Sequence, residues 1–366
     1  MTSTTTPNGS QPVVAVDCNG ADLGAAEVAA GAALAAEAGA RVLLFGPVDE
    51  LGGMPAGVEV VDAPVSIAKA EDPVKAVRAT PDASIVQAAK AVASGRAQAF
   101  VCAGGTGAAL AAGIFNIKRD HGVYRPALAL PMPVPRHPVT LLDVGANAEA
   151  RREHIVQFAY MGAALSRLVL GVPRPRVGLL SNGEESTRGG ALVVEAGAEL
   201  REHATRAAAT GAFEYVGSVE GNDVVSGKAD VIVTDGFTGN VALKLMEGVS
   251  QTMLSAIRDA AMGSLMGKAG GALLRPSLRG LREELDPEGA GGAYLLGLRR
   301  LGVVPHGRFS RRGFAQAILR ASLGAREDIV GETHAALDAA GALRRSPASE
   351  TASASAASDA SLREQG

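Results

Sequence analysis

Short apolar runs recur along the chain at Val13–Val16, Val42–Phe45, Ala99–Cys102, Leu128–Leu130, Leu141–Val144, Val177–Leu180 and Val231–Thr234, bounded by glycine and polar residues. Runs of this length read as strands. Between them lie longer, Ala-rich stretches whose apolar positions return at helical spacing: Glu27–Ala38, Ser84–Ser94, Ala108–Ile117, Glu149–Leu170, Ala191–Thr205 and Val241–Ala261. Strand alternating with helix predicts an α/β fold built on a doubly wound parallel sheet. Asn240, just before the last of these helices, is expected at its N-cap.

Almost every strand ends in a turn that carries Gly or Asp: Asp17, Gly20 and Asp22; Gly46; Gly104–Gly107; Asp143–Asn147; Gly183 and Glu184; Asp235–Asn240. In open α/β sheets ligands bind beyond the carboxyl ends of the strands, so these turns are expected to converge on one cleft at one edge of the sheet. Any one of the glycines, taken singly, is explained as well by a tight strand-to-helix turn.

The 366 residues suit two domains or one large α/β domain, read here as one domain over residues 12–340. Residues 1–11, Ser/Thr-rich with no basic or long apolar stretch, are read as a disordered N-terminus and not a signal peptide. Ser346–Gly366, nearly all Ala, Ser and Glu, is read as a disordered tail. Ala97–Ile117 carries no charge, yet its internal glycines make it strand, loop and helix, not a membrane span.

A 47% apolar composition with net charge −3 excludes intrinsic disorder and a general nucleic-acid binder. The abundance of glycine (46 residues) and the scarcity of aromatics (3%) favour close backbone approach to a ligand over stacking. Cys18 and Cys102 have no metal-ligand spacing and read as buried, inert thiols of a reduced compartment. From Arg258 to Arg320, 11 Lys/Arg face 5 Asp/Glu, a local excess of +6 that would attract an acidic partner. Within it a Met/Leu-rich segment, residues 250–285, reads as a protruding helical pair: a core or dimer contact, or an Arg-flanked surface for an anionic membrane.

Two turns carry chemistry. Gly104, Gly105, Thr106 and Gly107, after a strand and before a helix, would face backbone N–H groups toward an anion. A dinucleotide fingerprint would need glycine at Leu110, and the chain has no Walker A sequence, so nicotinamide and ATP are weak readings. In Asp235–Lys244, Asn240 and Lys244 fall one helical turn apart on one face, where an amide and a cation could hold an oxyanion or a phosphate.

Asp235–Lys244, followed by Glu247 and Gly248, resembles the signature of the bacterial phosphate acyltransferases of phospholipid synthesis, the PlsX family. Further blocks resemble that family in order: Asp143–Asn147, then Gln157, Phe158, Ala159, Met161 and Gly162, then Asn182–Glu185, Glu220–Asp223, then Gly291, Gly292, Ala293, Leu295, Leu296 and Gly297, and His306 with Gly307. The likeness spans about Val13–Ala321. It departs at Asn19 and Ala21, where the family has Met and Gly, and at Gly105, where it commonly has Asn.

The resemblance implies a three-layer α/β/α fold like that of phosphate acetyltransferases, in a cytoplasmic homodimer with possible peripheral membrane contact. It implies transfer of a fatty acyl group from acyl carrier protein to inorganic phosphate, with no metal and no organic cofactor. The acyl phosphate would pass to the membrane glycerol-phosphate acyltransferase. On it, Asn240, Lys244, Asp235, Glu184 and His306 are the candidate catalytic groups. Substrate-binding candidates are Asp17, Gly20, Asp22, Gly104–Gly107, Asp143, Asn147, Asn182, Gly183, Gly236 and Gly239; Arg275, Arg279 and Arg282 are the candidates for carrier or membrane contact. A phosphotransacetylase-like enzyme using coenzyme A esters and a non-catalytic scaffold remain the alternatives at this point.

Overall fold

The structure, a computed structural model, describes residues 11–344 apart from residue 136, without the side chains at 265, 275–278 and 281–283. The segments read as disordered ends, 1–11 (save Gln11) and 346–366, lie outside the described residues. In chain order β1 (Val13–Asp17), α1 (Ala25–Glu37), β2 (Arg41–Gly46), α2 (Val48–Leu51) and β3 (Val58–Asp62) come first. They are followed by α3 (Pro73–Ala79), α4 (Ser84–Ala93), β4 (Ala99–Cys102) and α5 (Thr106–Ala112), which continues into a π-turn over Gly113–Ile117. Next are β5 (Ala127–Met132), β6 (Val139–Leu142), α6 (Arg152–Leu168), β7 (Arg176–Leu180), α7 (Ala191–Ala209), β8 (Glu214–Val219) and β9 (Val231–Val233). Two long helices, α8 (Gly236–Met262) and α9 (Leu265–Glu284), precede β10 (Ala293–Leu296), β11 (Leu301–Val304), α10 (Arg311–Arg326) and α11 (Ile329–Ala339).

The strands form one 11-stranded sheet in the order β3-β2-β1-β4-β11-β10-β5-β6-β9-β7-β8. The first five are mutually parallel, and so are the last four. Between the blocks the pairs β11/β10, β10/β5 and β5/β6 are all antiparallel. Three reversals make the blocks run in opposite senses, which corrects the expectation of a single edge: the turns after β1 and β4 leave from one edge, those after β6, β9 and β7 from the other. The turns after β4, β6, β9 and β11 nevertheless line one cavity, whose floor includes residues of β5, β10 and β11 where the blocks meet.

Burial follows the two-residue period. On β1, Val14 and Val16 join the core under α1, α6, α7, α10 and α11, while Ala15 joins the core under α3, α4 and α5, giving three layers. Cys18 and Cys102 are both buried, but in different cores on opposite faces of the sheet, so they cannot pair. Burial pushes both thiols up from their ordinary pKa. The Gln157–Gly162 block is packing: Gln157 accepts from Tyr124 N (2.8 Å) and donates to Gly122 O and Ala342 O (3.0 and 2.8 Å), tying α6 to two loops. A Cβ on Gly162 would sit 2.6 Å from Val231, so α6 lies against β9.

α8 begins at Gly236 with Asp235 as its N-cap, five residues earlier than the periodicity placed it, and Asn240 is inside the helix. Its outer ridge, Phe237, Val241, Leu245, Val249, Met253 and Ile257, follows i+4 spacing and is exposed; Phe237 and Leu245 are each 66% accessible. Met266, Leu273 and Leu274 of α9 are exposed as well. Among the described residues, no helix is long and apolar enough to cross a membrane. The basic segment does not form one surface, because Arg311 pairs with Glu27 (2.8 Å) and Arg320 donates to Val169 O (3.0 Å). Arg279 is exposed on α9, and the side chains of Arg275 and Arg282 are outside those described.

Candidate active site

The site is built on the turn after β6. Asp143 is fully buried, and its carboxylate accepts from the backbone N–H groups of Leu128 (3.0 Å), Gly145 (3.1 Å), Ala146 (2.9 Å) and Asn147 (2.8 Å) and from Asn147 Nδ2 (2.8 Å). The second Asn147 amide hydrogen goes to Pro126 O (2.8 Å). Both side chains are therefore engaged in shaping the turn, not offered to a ligand. The face the turn presents to the cavity is Val144, Gly145 and Ala148.

The start of α8 docks on this turn by backbone approach. Gly236 N donates to Asn147 O (2.8 Å), and a Cβ on Gly236 would lie 2.5 Å from that oxygen. A Cβ on Gly239 would lie 1.9 Å from Asp143 O. Glycines three apart share one face of a helix, so the Gly-Phe-Thr-Gly spacing lets the first turn settle directly on the 143–147 backbone. Asp235 is not free to move protons: its two oxygens accept from Thr238 N (2.8 Å) and Thr238 Oγ1 (2.7 Å). With capping done by Asp235, Asn240 keeps its amide for the cavity, and its Oδ1 faces Gly145. Lys244, one turn on, also lines the cavity, where its ammonium pairs with Glu247 (2.8 Å).

Gly104, Gly105 and Thr106 form another wall. Gly105 caps α5 without a side-chain oxygen, leaving the first amides of that helical stretch to whatever occupies the cavity. Gly107 turns away, toward Pro73. Asp17, Gly20 and Asp22 stand behind this wall and beside the next. Gly20, at φ 105°, would place a Cβ 2.8 Å from Gly104 Cα, and Asp22 N donates to Gly307 O (2.8 Å). That contact secures the turn after β11, which brings in His306. His306 Nδ1 accepts from Arg308 N (3.2 Å), so its proton sits on Nε2, and its ring stacks on Phe309. Although part of the ring reaches solvent, burial and then Arg308 lower its pKa below the ordinary imidazole value.

These walls enclose a cavity of about 900 Å³ with an apolar floor of Leu128, Leu130, Val144, Leu243, Ala293 and Val304. Of the expected residues, the cavity brings together Asn240, Lys244, His306, Gly104, Gly105, Thr106 and Gly236. It does not include Asn182, Gly183 or Glu184, which follow β7. There Glu184 is paired with Lys228, whose ammonium also contacts Asp223 (3.2 Å), and Asp223 caps its own turn at Glu220 N (3.0 Å). Sequence reasoning missed Arg308, Asp286 and Glu288 of the lining, and it named Glu247 only as part of the motif, with no role in the site. Arg308, two residues past His306, was the most accessible of these to inspection. Among the described residues, no cluster of His, Cys, Asp and Glu has the makings of a metal site.

The family described as fatty acid synthesis protein matches residues 13–330. The phosphate acyltransferase of Anaeromyxobacter dehalogenans strain 2CP-C is 38% identical over 347 residues, covering 93% of this chain and 94% of that protein. That of Heliobacterium modesticaldum is 39% identical, covering 87% of this chain and 95% of that protein. Among solved structures, a phosphotransacetylase from Streptococcus pyogenes superposes with a TM-score of 0.57 at 13% identity, over 85% of this chain and 93% of that one. A phosphotransacetylase from Staphylococcus aureus superposes with a TM-score of 0.55 at 15% identity, over 86% and 94%. The structural likeness shows the α/β fold, and the sequence match over most of both chains establishes that this chain belongs to the family of the bacterial phosphate acyltransferases.

Proposed function

We propose that the chain transfers a fatty acyl group from the thioester of acyl carrier protein to inorganic phosphate, forming acyl phosphate. The observation that supports this reading is one cavity in which an amide (Asn240), a cation (Lys244), a glycine turn and a neutral imidazole (His306) surround an apolar floor. Phosphate lies against the Gly104–Thr106 turn and displaces Glu247 from Lys244. The acyl chain lies on the floor formed by Leu128, Leu130 and Leu243.

A phosphate oxygen attacks the thioester carbonyl, the tetrahedral oxyanion collapses, and the C–S bond breaks. The proton carried by hydrogen phosphate ends on the pantetheine sulfur, so thioester and hydrogen phosphate become acyl phosphate and thiol without any further reactant. Asn240 Nδ2 donates to the oxyanion, a contribution worth roughly 3–4 kcal/mol where such a donor is preorganised. Lys244 offsets the charge of the phosphate as two anions approach. His306, with its proton on Nε2, is a donor toward the departing sulfur and not a base.

The acidic carrier approaches over α9, where Arg275, Arg279 and Arg282 supply positive charge. The exposed ridge of α8 is the contact between two copies in a homodimer, and the Met/Leu-rich end of the α8/α9 pair rests on the cytoplasmic face of the membrane, where acyl phosphate passes to the glycerol-phosphate acyltransferase. The test is hydroxylamine trapping of acyl phosphate from palmitoyl carrier protein and, separately, from palmitoyl coenzyme A. Phosphate-dependent product from the carrier at the higher kcat/KM supports the reading. Preference for coenzyme A would reassign it to the phosphotransacetylases, and carrier binding without product would make it a scaffold.

A further inference from the structure

Asp17 is 2% exposed at the end of β1 and does not line the cavity, yet it is the hub of a buried network that ends in the cavity wall. Its Oδ2 accepts from the Cys102 thiol (3.5 Å), and the Cys102 sulfur in turn accepts from Gly104 N–H (3.3 Å). Its Oδ1 accepts from Ser84 Oγ (2.6 Å) and from Asn19 N (3.1 Å). Asn19 Nδ2 closes the loop by donating to Ser84 Oγ (2.9 Å) and Ala63 O (3.2 Å). Behind the same wall Gly20 abuts Gly104, with the space for a Cβ filled by Ala68 and Gly104 Cα. The turn after β1 and the turn after β4 are thus locked to each other through one carboxylate. Asn19, where the resembled family has Met, adds a donor to that lock.

We infer that Asp17 is a positioning residue: acting through Cys102, it sets where Gly104, Gly105 and Thr106 stand in the cavity and thereby how tightly phosphate is held. All the donors that reach Asp17 are neutral. The titratable groups packed against it, Cys102 from β4 and Cys18 next to it at the start of the turn, are thiols that burial keeps protonated. A carboxylate buried without a cation is unfavourable, and a fold that only needed to cap β1 would be better served by a neutral residue. The geometry gives it something else to do, because its carboxylate bonds the turn after β1 through Asn19 N and reaches the turn after β4 through Cys102.

The inference rests on phosphate binding at this wall, so the test measures binding as well as turnover. Phosphate affinity by calorimetry, and separate KM values for phosphate and for palmitoyl carrier protein, are determined for wild type, Asp17→Asn, Cys102→Ala, Cys102→Ser and the double variant Asp17→Asn/Cys102→Ala. Asp17→Asn and Cys102→Ala are each expected to weaken phosphate binding about tenfold, the size of one lost hydrogen bond. The KM for the thioester should stay within twofold, Cys102→Ser should restore wild-type phosphate affinity, and the double variant should be no worse than Asp17→Asn. Equal rises in both KM values, or multiplying effects in the double variant, would overturn the inference. Should Asp17→Asn not fold, equal phosphate affinity in Cys102→Ala and Cys102→Ser would overturn it alone. Wild-type protein that binds phosphate but forms no acyl phosphate would refute the proposed reaction only, and the affinities would still decide the positioning role. Wild-type protein that binds no phosphate would refute both.

Discussion

Replacing Gly239 by Ala isolates the contact on which the site is built. The added Cβ would lie 1.9 Å from Asp143 O and 3.0 Å from Thr234 Cγ2, against a carbon–oxygen contact of roughly 3.3–3.6 Å. Neither neighbour can yield: Asp143 O belongs to a turn fixed by five hydrogen bonds, and Thr234 is buried. The start of α8 must therefore lift by about 1 Å or more, carrying Asn240 and Lys244 away from the Gly104–Thr106 wall. Overpacking of this kind costs about 1–3 kcal/mol of stability, and misplacing catalytic groups by about 1 Å costs on the order of 10²-fold in rate. The assay is kcat for acyl phosphate formation beside thermal unfolding, with Gly197→Ala in α7 as the control. There a Cβ makes an ordinary contact with Leu179 at 3.4 Å, so removing a helical glycine should stabilise by up to about 1 kcal/mol with kcat unchanged. A folded Gly239→Ala enzyme with wild-type kcat would refute the claim that glycine is required there to seat α8.

Other outcomes follow from the same geometry. Asp143→Ala leaves the buried N–H of Leu128 and the part-buried N–H groups of Gly145, Ala146 and Asn147 without their acceptor and should destabilise by roughly 1–3 kcal/mol, read as a lower urea midpoint; an unchanged midpoint would contradict the role given to that carboxylate. Burial raises the Asp17 pKa from 3.8 to about 6, so the native state binds the extra proton across that interval and stability falls as pH rises through it, by about 3 kcal/mol in total, then levels off above pH 6. Asp17→Asn lacks that decline, and its unfolding temperature should gain on wild type between pH 4 and 7; parallel curves would show that Asp17 does not titrate there. On the proposed homodimer, wild type should sediment as a dimer at micromolar protein and the double variant Leu245→Asp/Val249→Asp as a monomer; a dimer that survives both substitutions would remove the α8 ridge from the interface, and a monomeric wild type would remove the dimer.

Periodicity located the strands whose apolar runs stand alone: β1, β2, β4, β5, β7 and β9 fall on the predicted segments, and β6 overlaps its own only at Leu141 and Leu142, lying two residues earlier than predicted. It missed β3 and β8, where polar and glycine residues break the run, and the β10/β11 hairpin, whose short Ala-Tyr-Leu-Leu and Leu-Gly-Val-Val strands sit in glycine-rich surroundings. That hairpin, with β5, makes the reversals that set the two parallel blocks against each other, and reversal is a property of long-range pairing that no local pattern carries. The start of α8 was misplaced because Asn240 is as good a cap by type as Asp235. What decides is the fit of Gly236 and Gly239 to a turn about 90 residues earlier in sequence. Among the site residues, Asn240, Lys244, His306 and the glycine turn were legible from motif and spacing. Asp143 and Asn147 were found but in another capacity, since a carboxylate that organises its own turn and one that binds a ligand look alike in sequence. Glu184 shows the opposite error: a strand-end carboxylate two strands removed from β6 in the sheet order, paired with Lys228 and outside the cavity.

The central claim is that hydrogen phosphate is the acyl acceptor and that α8 supplies the groups that hold it there. ³¹P NMR of the purified protein with palmitoyl carrier protein and inorganic phosphate, beside Lys244→Ala, tests it most directly. A new acyl phosphate resonance should grow with wild type and form at least about 10²-fold more slowly with Lys244→Ala, the loss expected when one charge-stabilising group is removed. Acyl phosphate formed at the wild-type rate by Lys244→Ala, or a wild-type enzyme that releases free fatty acid and leaves phosphate untouched, would contradict it.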